Sequence, residues 1–162
     1  MFKEIKNYDY RHTTEFDFKV LCELLANEQH GLAVEQIKVL AQEIESKNLY
    51  FDKGNYTRNI IRDNKDCWLG LLCWDKGAIT RIHGHPEQSF IYILEGSLSC
   101  KSFDKDALTE LKFREINNRE FRYNKGIKGK MDNYIHQISA TQKSISLHYY
   151  SDNPMKGEIF DI

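Results

Sequence analysis

The chain has 162 residues, 41% of them hydrophobic and 29% charged, and 23 Lys and Arg balance 24 Asp and Glu to a formal net charge of −1. That length makes one domain with one sizeable core the simplest expectation, and the composition is ordinary for a globular protein. The charge balance leaves no electrostatic footprint for nucleic acid and no attraction to an acidic membrane. The N-terminal MFKEIKNYDYRH has no apolar signal-peptide core, and no run approaches the ~20 apolar residues of a membrane span. A cytoplasmic location is expected.

Residues 13–47 read as helical. Thr13 or Thr14 can cap a segment in which Phe16, Val20, Leu21, Leu24 and Leu25 fall at helical spacing. After a break at Asn27 to Gly31, a second amphipathic stretch runs from about Leu32 to Lys47, with Val34, Ile37, Leu40, Ala41 and Ile44 on one face. Both helices are expected to pack on a β core.

From Tyr56 to the end (56–162) the texture changes to short strands. Candidates are Thr57–Arg62, Cys67–Trp74, Thr80–His83, Phe90–Leu94, Leu98–Phe103, Leu111–Ile116, Glu120–Tyr123, Ile135–Ala140, Ser144–Tyr150 and a tail near Ile159. They are rich in β-branched and aromatic residues, and Gly, Asp, Asn and Lys separate them. Strands without intervening helices argue for an antiparallel sandwich or barrel rather than a βαβ sheet. Cys22, Cys67, Cys73 and Cys100 form no CxxC pair and read as buried, inert thiols rather than disulfides or a zinc site.

His83-Gly84-His85 is the most informative local pattern. In a strand, residues two apart share a face, so both imidazoles can reach one metal ion. Alone the pattern is weak, since chance places such a pair in roughly one of five chains of this composition. Gly77 and Gly96 flank it where a strand would enter and leave, and Gly96 in Leu-Glu-Gly-Ser suits a hairpin turn. His136, in the candidate strand Tyr134-Ile135-His136-Gln137-Ile138, can be carried beside the pair as a third ligand. Ser89 stands where a carboxylate ligand would be sought, so a metal here would have neutral ligands. In Ser144–Tyr150 the alternation puts Ser146, His148 and Tyr150 on one face, able to form a hydrogen-bonded relay. A polar outer strand face would look the same. His12 and His30 flank helices in polar sequence and need no function.

Together these residues carry a resemblance. Gly77-x5-His83-x-His85-x3-Ser89-x6-Gly96, followed by His136, is similar to the two cupin motifs. More narrowly, the chain resembles the cysteine dioxygenases of the thiol dioxygenase group. Tyr56-Thr57-Arg58-Asn59 resembles the segment whose arginine grips the substrate carboxylate. Leu71-Leu72-Cys73-Trp74 with Gly77 and Ile82-His83-Gly84-His85 resembles the first ligand strand. His136-Gln137-Ile138 matches the third ligand, and Ser146-Leu147-His148-Tyr149-Tyr150-Ser151 resembles the relay strand. The likeness spans roughly Tyr56 to Asn153.

The resemblance implies an all-β, jelly-roll-like cupin barrel with N-terminal helices packed against it. It implies one Fe(II) per chain on His83, His85 and His136, which Zn or Ni can replace in a purified sample, and no organic cofactor. The implied reaction adds both atoms of O2 to the sulfur of L-cysteine, giving cysteine sulfinic acid. Tyr150, His148 and Ser146 would be catalytic, Arg58, Tyr56 and Trp74 would bind substrate, and the chain would act as a monomer. Ser89 replaces the cysteine that crosslinks to the relay tyrosine in animal members, so the likeness is to the bacterial type lacking that thioether. The loop after His85 is one residue shorter, which leaves the contacts of Gln88 open, and Ala140 stands where a cupin often has asparagine.

Two other readings compete. One is a dioxygenase of 3-mercaptopropionate or another small thiol. Arg58 speaks against it, because the family associates glutamine with that substrate. The other is a non-oxidative cupin, a binding or sensor module carrying zinc or nickel, which would need the histidines but not Arg58 or the relay. A purely structural barrel would need neither.

Overall fold

A computed structural model of the chain describes residues 2–14, 16–44 and 49–161. In chain order the elements are β1 (Lys6–Asp9), α1 (Lys19–Ala26), α2 (His30–Ile44), β2 (Tyr56–Asp63), β3 (Trp68–Trp74), β4 (Ile82–His85), β5 (Gln88–Glu95), β6 (Leu98–Phe103), β7 (Glu110–Ile116), β8 (Phe121–Lys125), β9 (Asn133–Ser139), β10 (Ser144–Tyr150) and β11 (Ile159–Phe160). Six strands form one sheet in the order β1-β2-β3-β10-β5-β8, and five form the other in the order β11-β4-β9-β6-β7. The strand pairs are antiparallel except β1 with β2, which run parallel. The expected barrel is therefore two facing sheets of jelly-roll type that do not close among the described residues.

Burial explains the layering. Every residue of β3, WLGLLCW, is buried, because both faces of the six-stranded sheet are covered. Leu69 and Leu71 of β3 and Leu147 and Tyr149 of β10 face outward onto Leu21, Leu25, Ile37 and Leu40 of the two helices. Trp68, Leu72, Trp74 and Tyr150 face inward, between the sheets, with Ile138, Leu98 and Ile116. Each fully buried leucine in the outer layer stabilises by roughly 1.5–3 kcal/mol. The same alternation that gives the helices an apolar platform turns Ser146, His148 and Tyr150 into the interior.

The N-terminal part departs from the expected helix over 13–47. Lys6–Asp9 is a strand, and α1 begins only at Lys19. Thr13 and Thr14 do not cap it. The Thr13 hydroxyl donates to the Tyr10 carbonyl, Thr14 accepts from the Phe16 amide, and Asp17 takes the Lys19 amide instead. Short hydroxyl side chains here satisfy local turns in competition with the helix. Val20 is exposed rather than facing the sheet. The second helix starts two residues early, at His30, and the expected end at Lys47 lies outside the described residues. The four cysteines are free and buried, as expected. No helix among the described residues is long and apolar enough to cross a membrane.

Gly96 makes the β5–β6 turn with φ of +79°, a left-handed conformation that other residues adopt at a cost. A Cβ there would also stand 2.7 Å from the Lys143 carbonyl oxygen and collide with the Ser144 hydroxyl. Gly96→Ala is therefore expected to lower the unfolding free energy in urea by about 1–3 kcal/mol. Gly31→Ala, where the methyl meets open space, is expected to be neutral or stabilising. Equal stability of the two variants would remove Gly96 from its structural role.

Candidate metal centre

Strand pairing assembles the three histidines. β4 and β9 run antiparallel with His83 directly opposite His136, and the register shifts between His83 and His85. Gly84, between them, lets the backbone at Asp132 come close: a Cβ would lie 2.6 Å from Asp132 Cα. The ring centroids are 4.8 Å apart for His83 and His85, 4.8 Å for His83 and His136, and 4.5 Å for His85 and His136. Each pair meets edge to face, and one nitrogen of every ring lies within 4.8 Å of the others.

The outer ring nitrogens set the tautomers. His83 Nδ1 is 2.8 Å from the Arg81 carbonyl oxygen, so it carries the proton and leaves Nε2 free. His136 Nδ1 lies 3.5 Å from the Cys100 sulfur. His85 Nε2 and His136 Nε2 are then 2.7 Å apart, a distance at which two lone pairs repel unless a proton or a cation stands between them. The buried His85 Nδ1 has no hydrogen-bond partner. Burial lowers the His83 pKa to about 4 and takes His85 and His136 well below their ordinary value. The rings are neutral at neutral pH, which is the state that binds metal. Three convergent neutral imidazoles with no acidic ligand fit an iron, zinc or nickel ion.

Across the interior, the six-stranded sheet supplies a relay. Trp74 Nε1 donates to Ser146 Oγ at 2.8 Å, Ser146 Oγ is 2.7 Å from His148 Nε2, and His148 Nδ1 is 2.8 Å from Tyr150 Oη. An indole N–H can only donate. The fully buried serine proton therefore goes to His148 Nε2, His148 Nδ1–H donates to the Tyr150 oxygen, and the Tyr150 O–H is left to donate into the cavity. Burial, followed by the charges of Arg58 and His83, lowers the His148 pKa to about 3. Burial raises that of Tyr150, which stays a phenol, with Arg58 opposing the shift. Tyr150 lies flat against His85, with centroids 5.2 Å apart and rings 6° from parallel.

Arg58 arrives on β2, next to β3. Its guanidinium carbon is 5.6 Å from the Tyr56 ring centre, and Tyr56 stacks on Trp74 at 4.7 Å. Arg58 is half-buried and makes no ion pair among the described residues. Tyr56, Arg58, Trp74, His83, His85, His148 and Tyr150 all border one inner cavity of about 40 Å³. An adjoining cavity of about 190 Å³ shares Tyr56, Arg58 and His83 with it and opens outward.

Every expected site residue thus lies at this centre except Ser146, which stands behind His148. Trp74 does more than wall the cavity, since its N–H sets the direction of the relay. Gln88 points away, donating to the Ala26 carbonyl and the Tyr123 hydroxyl. Ser89 lies directly opposite Tyr150 in the β5–β10 pairing, where a serine can form no thioether. Two neighbours escaped the sequence reading. Cys100, taken for an inert core thiol, touches His136, and Tyr134 packs edge-on to it at 4.7 Å. The alternation of Tyr134, His136 and Ile138 along β9 was the available signal for Tyr134.

Residues 18–161 match the family described as cysteine dioxygenase type I. The chain belongs to that family. Membership brings with it a thiol dioxygenase class of chemistry and a three-histidine metal site. None of the curated proteins matches the chain in sequence. Among solved structures, it is similar to an uncharacterised conserved protein with a double-stranded β-helix domain from Klebsiella pneumoniae, at 12% identity and TM-score 0.53 over 70% of this chain and 91% of that one. It is also similar to a cupin superfamily protein from Desulfitobacterium hafniense, at 10% identity and TM-score 0.51 over 65% and 84%. A third is peruvianin-I from Thevetia peruviana latex, described as a cysteine peptidase, at 11% identity and TM-score 0.54 over 74% and 75%. At these identities the likeness speaks for the cupin fold alone.

His136→Ala is expected to reduce metal content, read by atomic emission, by at least about tenfold while the far-ultraviolet circular dichroism is unchanged, because losing a ligand outweighs the 10–100-fold effect of losing an outer partner. Full metal occupancy in that variant would move the third ligand elsewhere.

Proposed function

We propose that the chain is a single-domain cysteine dioxygenase that uses Fe(II) to add both atoms of O2 to the sulfur of L-cysteine, giving cysteine sulfinic acid. The observation that carries the reading is Arg58. A guanidinium with no ion pair among the described residues, braced on Tyr56 and Trp74, borders the same small cavity as His83 and His85 of the histidine cluster and the Tyr150 phenol. A metal-binding sensor cupin has no need of that arginine or of the relay.

His83, His85 and His136 would hold the Fe(II), which would supply the redox chemistry that joining a thiol to dioxygen requires. Arg58 receives the substrate carboxylate in a paired, charge-assisted hydrogen bond. Tyr150, with its proton turned inward by His148, donates a second bond to the substrate end. Trp74, Ser146 and His148 hold that phenol in place and do not themselves touch substrate. Leu72 and Ile138 keep bulk water from the reacting sulfur. The balance is one thiol and one O2 to one sulfinate and one proton, with no external reductant. The inner cavity and the adjoining one of about 190 Å³, both bordered by Arg58, offer room on the scale of a small molecule.

Protein reconstituted anaerobically with Fe(II) and then given oxygen is expected to form sulfinate from cysteine faster than from 3-mercaptopropionate. Preference for the second thiol would reassign the substrate, and product from neither would favour the sensor reading. Arg58→Ala is expected to raise KM for cysteine by at least about tenfold, the worth of a lost charge-assisted pair, with iron content intact. Parallel loss of iron would make Arg58 structural.

A further inference from the structure

The three-histidine centre has a second face. A larger cavity of about 260 Å³ borders His85, His136 and Tyr150. Its walls carry Lys112 and Arg114 of β7 and Arg122 of β8, and no carboxylate among the described residues lines it. Lys112 and Arg114 make no ion pair among the described residues. Arg122 is 3.5 Å from Glu120 and donates to the Phe121 carbonyl, and its buried Nε has no partner. Ser89, opposite Tyr150, also lines this cavity, and its small side chain keeps the way to Tyr150 open.

In net terms, the proposed reaction turns a thiol that is neutral in solution into a sulfinate whose two oxygens share one negative charge, and Arg58 is already engaged with the carboxylate. Guanidinium groups suit such a forked oxyanion. We propose that the Lys112–Arg114–Arg122 cavity is an oxyanion site that receives the sulfinate head of the product on its way out. This rests on the thiol dioxygenase reading for its ligand, though not for its existence as an anion site. Small carboxylic acids from solution share the chemistry and are the other source of a ligand.

The test is isothermal titration of the isolated protein with methanesulfinate, which has no carboxylate for Arg58, at low ionic strength. The wild type and Arg58→Ala are expected to bind alike. Arg114→Ser with Arg122→Ser is expected to bind at least about tenfold more weakly, the loss of two charge-assisted contacts. Arg114→Gln alone, on an exposed strand position, provides a milder variant whose fold is not at risk, with a loss of a few-fold. No binding by the wild type, or equal binding by the double variant, overturns the site. Acetate binding as tight as methanesulfinate overturns the assignment to product, and weaker acetate binding supports it. In turnover assays with cysteine, inhibition by added cysteine sulfinate is expected to weaken in the double variant. Arginine-dependent methanesulfinate binding in a protein that oxidises no thiol would uphold the anion site and sink the enzyme reading instead.

Discussion

The pairing of β4 with β9 is the constraint on which the centre depends. It brings His136 against His83 from far along the chain, and directly opposed residues of an antiparallel pair have Cα atoms about 4.5–5.5 Å apart. Imidazoles mounted at that spacing can converge on one point. His85, two residues on along the same strand, shares the face of His83 and reaches the same point across the register shift. All three ligands therefore ride on sheet backbone rather than on loops, and the site is about as rigid as the ladder that carries it. β11 closes the outer edge by pairing Ile159 with His83, so the last strand of the chain braces the first ligand.

The facing sheet solves a different problem. Three polar side chains on consecutive inward positions of β10 would each cost about 1–3 kcal/mol if buried without partners. They are instead satisfied in series from one donor, the Trp74 indole N–H, which fixes every proton along the chain and leaves the phenol proton at the cavity. The helices contribute indirectly. They cover Leu147 and Tyr149, and with that face buried a one-residue slip of β10 would put His148 into an apolar layer and Leu147 at the metal centre. Apolar packing on one side of the strand thus holds the register of the polar chemistry on the other.

That division also explains what could be read from the sequence. Period-two alternation is local, so the His83–His85 pair, the Ser146–His148–Tyr150 face, the strand texture after Tyr56 and the turn at Gly96 were all legible. Partner choice is not local. Nothing near Trp74 says that its N–H will meet Ser146 across a strand pair, and nothing near Cys100 says that its sulfur will meet His136. The β1 strand was missed because its residues are polar and its pairing with β2 is parallel and distant. The Thr13 and Thr14 caps failed for the opposite reason, since local turn bonds outcompeted a plausible local signal.

The charge of the centre follows from these placements taken together. The chain as a whole is within one charge of neutral, yet cavities that meet the histidines are lined by Lys3, Arg58 and Arg81 on one side and Lys112, Arg114 and Arg122 on the other, with no carboxylate among the described residues of their walls. The ligands are neutral, so they offset none of the charge of a divalent ion. A site built this way attracts anions from both sides and leaves the neutralising charge to its ligand. In the function proposed above, a zwitterionic thiol would place its carboxylate on Arg58, and its sulfur would become an adequate counter-charge only on losing its proton. On that reading the electrostatics would favour the thiolate over the thiol without a dedicated base, in keeping with the absence of acidic side chains among the described residues lining the cavities.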